Sequence, residues 1–188
     1  KKQIVINERR KYMIYIIRHG QTDWNIEHRT QGHTDIALNI NGIKLAELMA
    51  QKIANLKIDS IISSDLKRAY MTAQIINKKF NKNIETDKRL RECNYGDLDG
   101  EHKSLVIYED HIEERFPNGE SLLDVEKRMR EFVSWLKENY DGKSVAIVAH
   151  RAPQLAFEVI SKNISWEEAN KNDWRKTGDW QPGWEYEV

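Results

Sequence analysis

Cysteine is nearly absent: Cys93 stands alone among 188 residues, so no internal disulfide can form and a reducing compartment is expected. Cys93 itself reads as a small buried filler rather than a nucleophile. An excess of either charge is also lacking, since 30 Lys and Arg balance 30 Asp and Glu, interspersed along the chain. Without a basic patch, a nucleic-acid partner is not expected. No apolar run approaches the roughly 18 residues of a membrane span, and no apolar leader region precedes Arg18. These absences predict a soluble, cytoplasmic protein without a membrane partner. Internal repeats, low-complexity segments and domain linkers are missing as well, which leaves one domain, 1–188, long enough for a real core.

Short apolar runs alternate with helical patterns. Tyr12–Ile17, Ile61-Ile62 and Ser144–Ala149 have the composition of buried strands. Ile43, Ala46, Met49, Ala50, Ile53 and Leu56 recur at helical spacing, as do Leu66, Ala69, Ala73, Ile76 and Phe80. Ser121-Leu122-Leu123-Asp124 is a capping-box start. Leu122, Val125, Met129, Phe132, Val133 and Leu136 follow it as a core stripe. Such alternation predicts an α/β fold, a three-layer α/β/α sandwich whose mainly parallel central sheet is covered on both faces. Residues 1–11 are polar apart from Ile4-Val5-Ile6 and read as a native extension, an added edge strand or an appended segment.

The expected strands end in chemistry. Tyr12–Ile17 runs into Arg18-His19-Gly20, Ile61-Ile62 into Ser63–Ala69 with Arg68, and Ser144–Ala149 into His150; Arg89–Gly96 carries Glu92. In open α/β sheets, ligands gather at the carboxyl ends of strands. Two guanidiniums there can grip phosphate oxygens bidentately. An imidazole can accept a phosphoryl group, and a separate carboxylate can protonate the leaving oxygen. The set reads as phosphoryl transfer without a metal ion.

In order and spacing the chain resembles the histidine phosphatase superfamily, which contains the cofactor-dependent phosphoglycerate mutases. The resemblance runs from about Tyr12 to Ile160. It rests on Arg18–Asn25, Gln31–Asp35, Leu38-Asn39, Ser64–Ala69, Leu90-Arg91-Glu92, Gly119-Glu120-Ser121 and Ala149-His150. It implies a phosphoglycerate mutase-like fold and a phosphoric monoester hydrolase of the histidine acid type with no cofactor. His19 would be the nucleophile, with the neighbouring cations favouring its neutral ring and one nitrogen donating to a backbone carbonyl. Arg18, Arg68 and His150 would hold the three non-bridging oxygens. Glu92 would be general acid, then base. Among substrate-binding positions, Asn25, Gln31 and Gly32 would add hydrogen bonds at the pocket wall, and Thr22 would order the loop after His19.

Other readings compete. His19, His28, His33 and His150 with Asp23 or Asp35 form a candidate metal set, but none shows the tight spacing of a zinc site; His28 and His33 read better as residues lining the pocket mouth. The family usually has glycine after its second histidine, where this chain has Arg151. That side chain either adds a guanidinium favouring an acidic or doubly phosphorylated substrate, or pairs with a carboxylate or faces solvent. Mutases of the family insert a long clamping segment after the Glu motif, whereas only Cys93–Asn118 separates Glu92 from Gly119. A phosphatase acting on a small phosphorylated metabolite is the better reading. Tyr95 and Lys103 sit at offsets where mutases keep substrate-binding residues, which keeps the mutase alternative. The tail from Trp166, with Trp174, Trp180, Trp184 and Tyr186, reads as a strap with Trp184–Val188 as an edge strand. Its alternative is a surface through which a phospho-ligand binding module docks partners. No oligomeric state is specified.

Overall fold

The computed structural model describes residues 13–173 and the strand at 184–187. The expected extension 1–11, together with Trp174 and Trp180 of the tail, lies outside the described residues. Five strands form one sheet: β1 (Met13–Arg18), β2 (Ser60–Ser63), β3 (Ile84–Thr86), β4 (Val145–Ala149) and β5 (Trp184–Glu187), in the order β3-β2-β4-β1-β5. The first four run parallel, and β5 pairs antiparallel with β1 at the sheet edge. The expected mainly parallel sheet is present, as is the edge strand expected over Trp184–Val188, described as Trp184–Glu187.

β4 shows why the sheet is a middle layer. All five of its residues are buried, and successive side chains leave a strand on opposite faces. Val145, Ile147 and Ala149 pack with Leu122, Val125, Met129 and Phe132 of α4 (Leu122–Asn139) and Leu155 and Val159 of α5 (Arg151–Lys162). Ala146 and Val148 pack with Met49 and Ala50 of α2 (Ile40–Lys52) and Ala69, Ala73 and Ile76 of α3 (Lys67–Asn77). Apolar clusters therefore fill both faces, giving the three-layer sandwich. A short α1 (Asp23–Ile26) follows β1, and α6 (Trp166–Lys171) packs on α5.

The helix starts follow local chemistry. Ser121 caps α4 through the amide of Asp124, whose carboxylate returns to the Ser121 amide. A cap of this kind contributes about 1 kcal/mol. Its stripe is buried as expected, except that Val133 is only partly covered. α2 ends at Lys52, so Ile53 and Leu56 pack just beyond it rather than within it. At the far end of α5, Asn163 takes the left-handed conformation (φ 52) that stops a helix.

The topology opens one crevice. After β1 the chain turns to the face covered by α2; after the adjacent β4 it turns to the face covered by α5. Between neighbours whose connections part this way, the carboxyl ends leave room for a ligand. Arg18 pairs with Ala149 on the last rung. Beyond it the His19 amide donates to the Ala149 carbonyl (3.2 Å), and the Ser64 amide donates to Val148 (2.9 Å). His19, Ser64 and His150 thus emerge at one level.

Candidate active site

A cavity of about 550 Å³ occupies this crevice, with Arg18, His19, Arg68 and Glu92 in its wall. The loop carrying His19 is clamped by backbone packing. A Cβ at Gly20 would stand 2.5 Å from the Gly42 carbonyl oxygen, and one at Gly42 would run into the Gln21 backbone. Only glycines allow the loop to lie so close to the first turn of α2. Asn39 caps that turn through the Gly42 amide, while its own amide donates to the Gln21 carbonyl. Gly20 N–H donates to Thr72 Oγ1 (3.0 Å), tying the loop to α3. His19 Nδ1 lies 2.7 Å from the Gly20 carbonyl. A carbonyl only accepts, so Nδ1 carries a proton, and in the neutral ring the lone pair is on Nε2. This is the carbonyl partner expected from the sequence.

His150 is fully buried, with its ring centroid 5.1 Å from that of His19. Burial first, then the charges of neighbouring arginines, Arg68 above all, hold its ring well below the usual imidazole range. It is therefore neutral at pH 7. Nε2 lies 2.8 Å from Ser64 Oγ, which also accepts from the Leu66 amide. The other ring nitrogen, Nδ1, is buried and has no partner among the described residues. A buried polar atom left unpaired costs roughly 1–3 kcal/mol. A phosphoryl oxygen would satisfy Nδ1 in the tautomer that carries its proton there.

Arg68 is likewise fully buried at the start of α3. Its terminal nitrogens donate to the carbonyls of Thr34 (2.9 Å) and Gly32 (2.8 Å), and Nε has no partner among the described residues. The fork expected to face the substrate is thus partly occupied, by neutral oxygens rather than by a directly paired carboxylate. Gly32 is left-handed (φ 45), and a Cβ there would collide with the Asp99 carboxylate. Asp99 Oδ2 accepts from the His33 amide (3.1 Å), between the two carbonyls that hold Arg68. Burial pushes the Asp99 carboxyl up to about 6, against the hydrogen bonds from His33 and Thr34 and the charge of Arg68.

Glu92 is buried at the N-terminus of α5. Oε1 accepts from the amides of Cys93 and Ala152, both at 2.9 Å, and Oε2 from the Arg151 amide at 3.1 Å. Oε2 is the less engaged oxygen and the one placed to carry a proton. Arg128 fixes this segment by donating to the carbonyls of Arg89, Arg91 and Glu92 while pairing with Glu120. Cys93 is buried as expected, and burial pushes its thiol up, out of reach of thiolate chemistry.

Asn25, Gln31, Gly32, Tyr95, Lys103 and Arg151 line the cavity as anticipated. Thr22 does not: it is fully buried, caps α1 and donates to Gln31 Oε1 (2.9 Å), so it braces the wall from behind. His28 and His33 do not line the mouth either. His33 Nε2 bonds the Glu92 carbonyl (2.9 Å), and His28, left-handed at φ 57, sets its ring against His102. Among the described residues, no three His, Cys, Asp or Glu side chains gather closely enough to hold a metal ion. Arg151 has no positive φ, so the turn after His150 does not need glycine's freedom. Its guanidinium pairs with a carboxylate, Asp173, which is one of the sequence alternatives, and the side chain also borders the cavity. Trp166 is buried in the core with its indole N–H on Glu126 (2.8 Å), which takes it out of any docking surface. None of the described helices is long and apolar enough to cross a membrane.

Sequence reading missed Ser64 as the partner of His150, Thr72, Asp99, Arg128 and Asp173. Only Ser64 had a signal, its place beside Asp65 in the strand-end motif; the others act through contacts distant in the chain.

The sequence pattern of the histidine phosphatase superfamily (branch 1) matches residues 14–179. Over 141 residues the chain is 36% identical to the uncharacterized phosphatase PhoE of Bacillus subtilis (strain 168), spanning 74% of this chain and 72% of that one. Over 147 residues it is 37% identical to the probable phosphoglycerate mutase GpmB of Yersinia pestis (strain Pestoides F), spanning 73% and 68%. The solved structure of a mycobacterial glucosyl-3-phosphoglycerate phosphatase superposes with a TM-score of 0.76 at 27% identity, covering 86% of this chain and 84% of the other.

Proposed function

The chain belongs to branch 1 of the histidine phosphatase superfamily, and from that premise we propose that it is a phosphomonoester hydrolase of the histidine acid type, working through a phosphohistidine on His19 without a metal ion. The observation that carries this reading is the arrangement of polar atoms around the cavity. His19 Nδ1 donates to a backbone carbonyl, which leaves Nε2 as the attacking nitrogen of the neutral ring, while His150 Nδ1 and Arg68 Nε are buried polar atoms without partners among the described residues. Nε2 attacks phosphorus and the bond to the leaving oxygen breaks. Glu92 gives that oxygen its proton. The resulting carboxylate then takes a proton from water as the water oxygen attacks phosphorus. The P–N bond breaks, its electrons return to Nε2, and inorganic phosphate leaves. Arg18, Arg68 and His150 meet the phosphoryl oxygens, a task metal ions perform in other phosphatases.

The cavity is far larger than a phosphoryl group, which suits a small phosphorylated metabolite. Tyr95 and Lys103 in its wall give the mutase reading its one structural support. Against it, the segment after Glu92 is built of short 3₁₀ turns, Gly96–Leu98, Lys103–Leu105 and Tyr108–His111, rather than a long clamp. Water can then compete for the phosphoenzyme. During turnover, acid-labile and base-stable phosphate is expected on His19. His19→Ala should abolish both labelling and phosphate release, a loss of at least about 10⁴-fold. Retained activity in that variant would sink the mechanism. Isomerised phosphoglycerate without released phosphate would establish the mutase instead.

A further inference from the structure

Outside the groups assigned to the phosphoryl moiety, the charged wall consists of Arg29, Lys103 and Arg151 against one carboxylate, Asp173. Arg29 is already engaged: it lies on the Trp24 ring and donates to the Gly100 carbonyl and Glu27. Lys103 is exposed on a flexible stem. Arg151 is different, because it is fixed from behind. Nε donates to Asp173 (3.0 Å) and Nη2 to Asn170 Oδ1 (2.8 Å), and the guanidinium lies 4.3 Å over the Tyr108 ring. The holders are themselves fixed. The Asp173 side chain is fully buried, the Asn170 amide donates to Glu109, and Tyr108 shares a hydrogen bond with Tyr95 (2.6 Å).

A guanidinium has five N–H donors in one plane. Along one edge, Nε and Nη2 are consumed by Asp173 and Asn170. At the other, both hydrogens of Nη1 and the second of Nη2 have no protein partner among the described residues, although the side chain borders the cavity. A planar donor edge held rigid by a buried counter-charge loses little entropy on binding a carboxylate or phosphate bidentately. We propose that Arg151 is a specificity-determining residue, binding a second anionic group carried by the leaving group of the ester. This rests on the hydrolase reading above and adds the class of substrate: a phosphomonoester whose alcohol bears a carboxylate or a further phosphate.

The test compares alcohols that differ in that charge. Phosphate release from 3-phosphoglycerate, from glycerol 3-phosphate and from glycerol 1,3-bisphosphate gives ratios of kcat/KM, so losses common to all esters cancel. Wild type should prefer a charged leaving group. Arg151→Gln should lower the charged-to-neutral ratio about 10- to 100-fold, the range of a charge-assisted hydrogen bond. Which charged ester loses more identifies carboxylate or phosphate as the group read. Because Arg151→Gln takes the guanidinium away from the buried Asp173 carboxylate, Arg151→Gln with Asp173→Asn serves as a second variant that removes both charges, and it should show the same fall. A wild type indifferent to the second charge, or a ratio unchanged within twofold in both variants, would overturn the proposal. If no ester is hydrolysed, the hydrolase reading fails by itself; calorimetric binding of the same three compounds then gives the same ratio without turnover.

Discussion

Arg68 and Arg151 both line the cavity, and they are held by opposite means. Arg68 is fully buried on the carbonyls of Gly32 and Thr34, while Arg151, partly exposed, is pinned by a buried carboxylate. Neutral carbonyls orient Arg68 without cancelling its charge, so that charge is kept for an incoming dianion. Asp173 cancels much of the Arg151 charge and leaves mainly a rigid donor edge. The first arrangement suits a group that every substrate shares; the second suits reading what differs between substrates. Glu92 joins the two sites, since its charge acts on Arg68 while its Oε2 accepts from the Arg151 amide.

Breaking that junction should give the largest effect. Glu92→Gln removes the transferable proton, and general acid catalysis is worth about 10²–10⁴-fold. An alkyl phosphate releases a strongly basic alkoxide and should lose that factor. A nitrophenyl phosphate releases a stable phenolate and should lose far less, with phosphoenzyme accumulating because water is no longer activated. The substitution also disturbs the backbone contacts of the carboxylate. With the new side-chain oxygen on the Cys93 and Ala152 amides, the NH₂ introduced by Glu92→Gln would face the Arg151 N–H, donor against donor. A modest loss common to both esters is therefore expected as well. Equal losses for both, with no trapped phosphoenzyme, would remove Glu92 as the proton donor.

Arg68→Ala tests the first of the two arginines. Loss of a donor aimed at developing charge costs about 10²–10³-fold, and both esters present the same phosphoryl oxygens. Alkyl and nitrophenyl phosphates should thus fall together, in kcat/KM measured side by side. If the nitrophenyl ester were spared, Arg68 would belong with leaving-group protonation instead. The comparison with Arg151 sharpens here, because the Arg68 variant should leave preference among alcohols intact while the Arg151 variant should change it.

The phosphoryl end of the site was legible in sequence for a physical reason. Arg18, His19, Arg68 and His150 end strands, directly follow them or open the helices after them, so the apolar runs located them before any fold was known. Three of the four parallel strands and the two covered faces were legible for the same reason, since buried strands leave apolar runs and striped helices a period of 3.6; β3, three residues long and largely exposed, leaves no such run. The supports behind the two arginines were not legible either. Tyr108 lies in a 3₁₀ turn, Asp173 follows a short helix, and Asp99 sits in a loop; none carries a periodic signal, and each acts on a residue tens of positions away. His28 and His33 were misplaced because a loop's sequence does not say which side faces the cavity, whereas Thr22 does order the loop after His19 as expected.

The smallest expected effect concerns Asp99, which backs the Arg68 anchor as Asp173 backs Arg151, but through the loop rather than by an ion pair. Its carboxyl is pushed up to about 6 by burial, above the ordinary carboxyl value of about 4. The folded chain therefore holds this proton more tightly than the unfolded chain does. Above pH 6 the fold carries a half-buried charge with one oxygen, Oδ1, unpartnered, and this penalty is relieved as pH falls through 6 toward 4. Asp65 and Asp124, held below the usual range by Arg91 and by the Ser121 and Arg115 contacts respectively, work in the opposite sense, so the whole-protein pH profile does not isolate Asp99. A difference does. Asp99→Asn keeps an acceptor for the His33 amide and removes the charge. It should melt about 2–4 °C above wild type at pH 7.5, corresponding to about 1 kcal/mol once solvent screening of a half-exposed carboxyl is allowed for. The gap should close by pH 4.5. A variant that instead melts below wild type at pH 7.5 would show that Asp99 is needed ionised as a counter-charge to Arg68. The two arginines would then be held by carboxylates alike, and the contrast between them would fall.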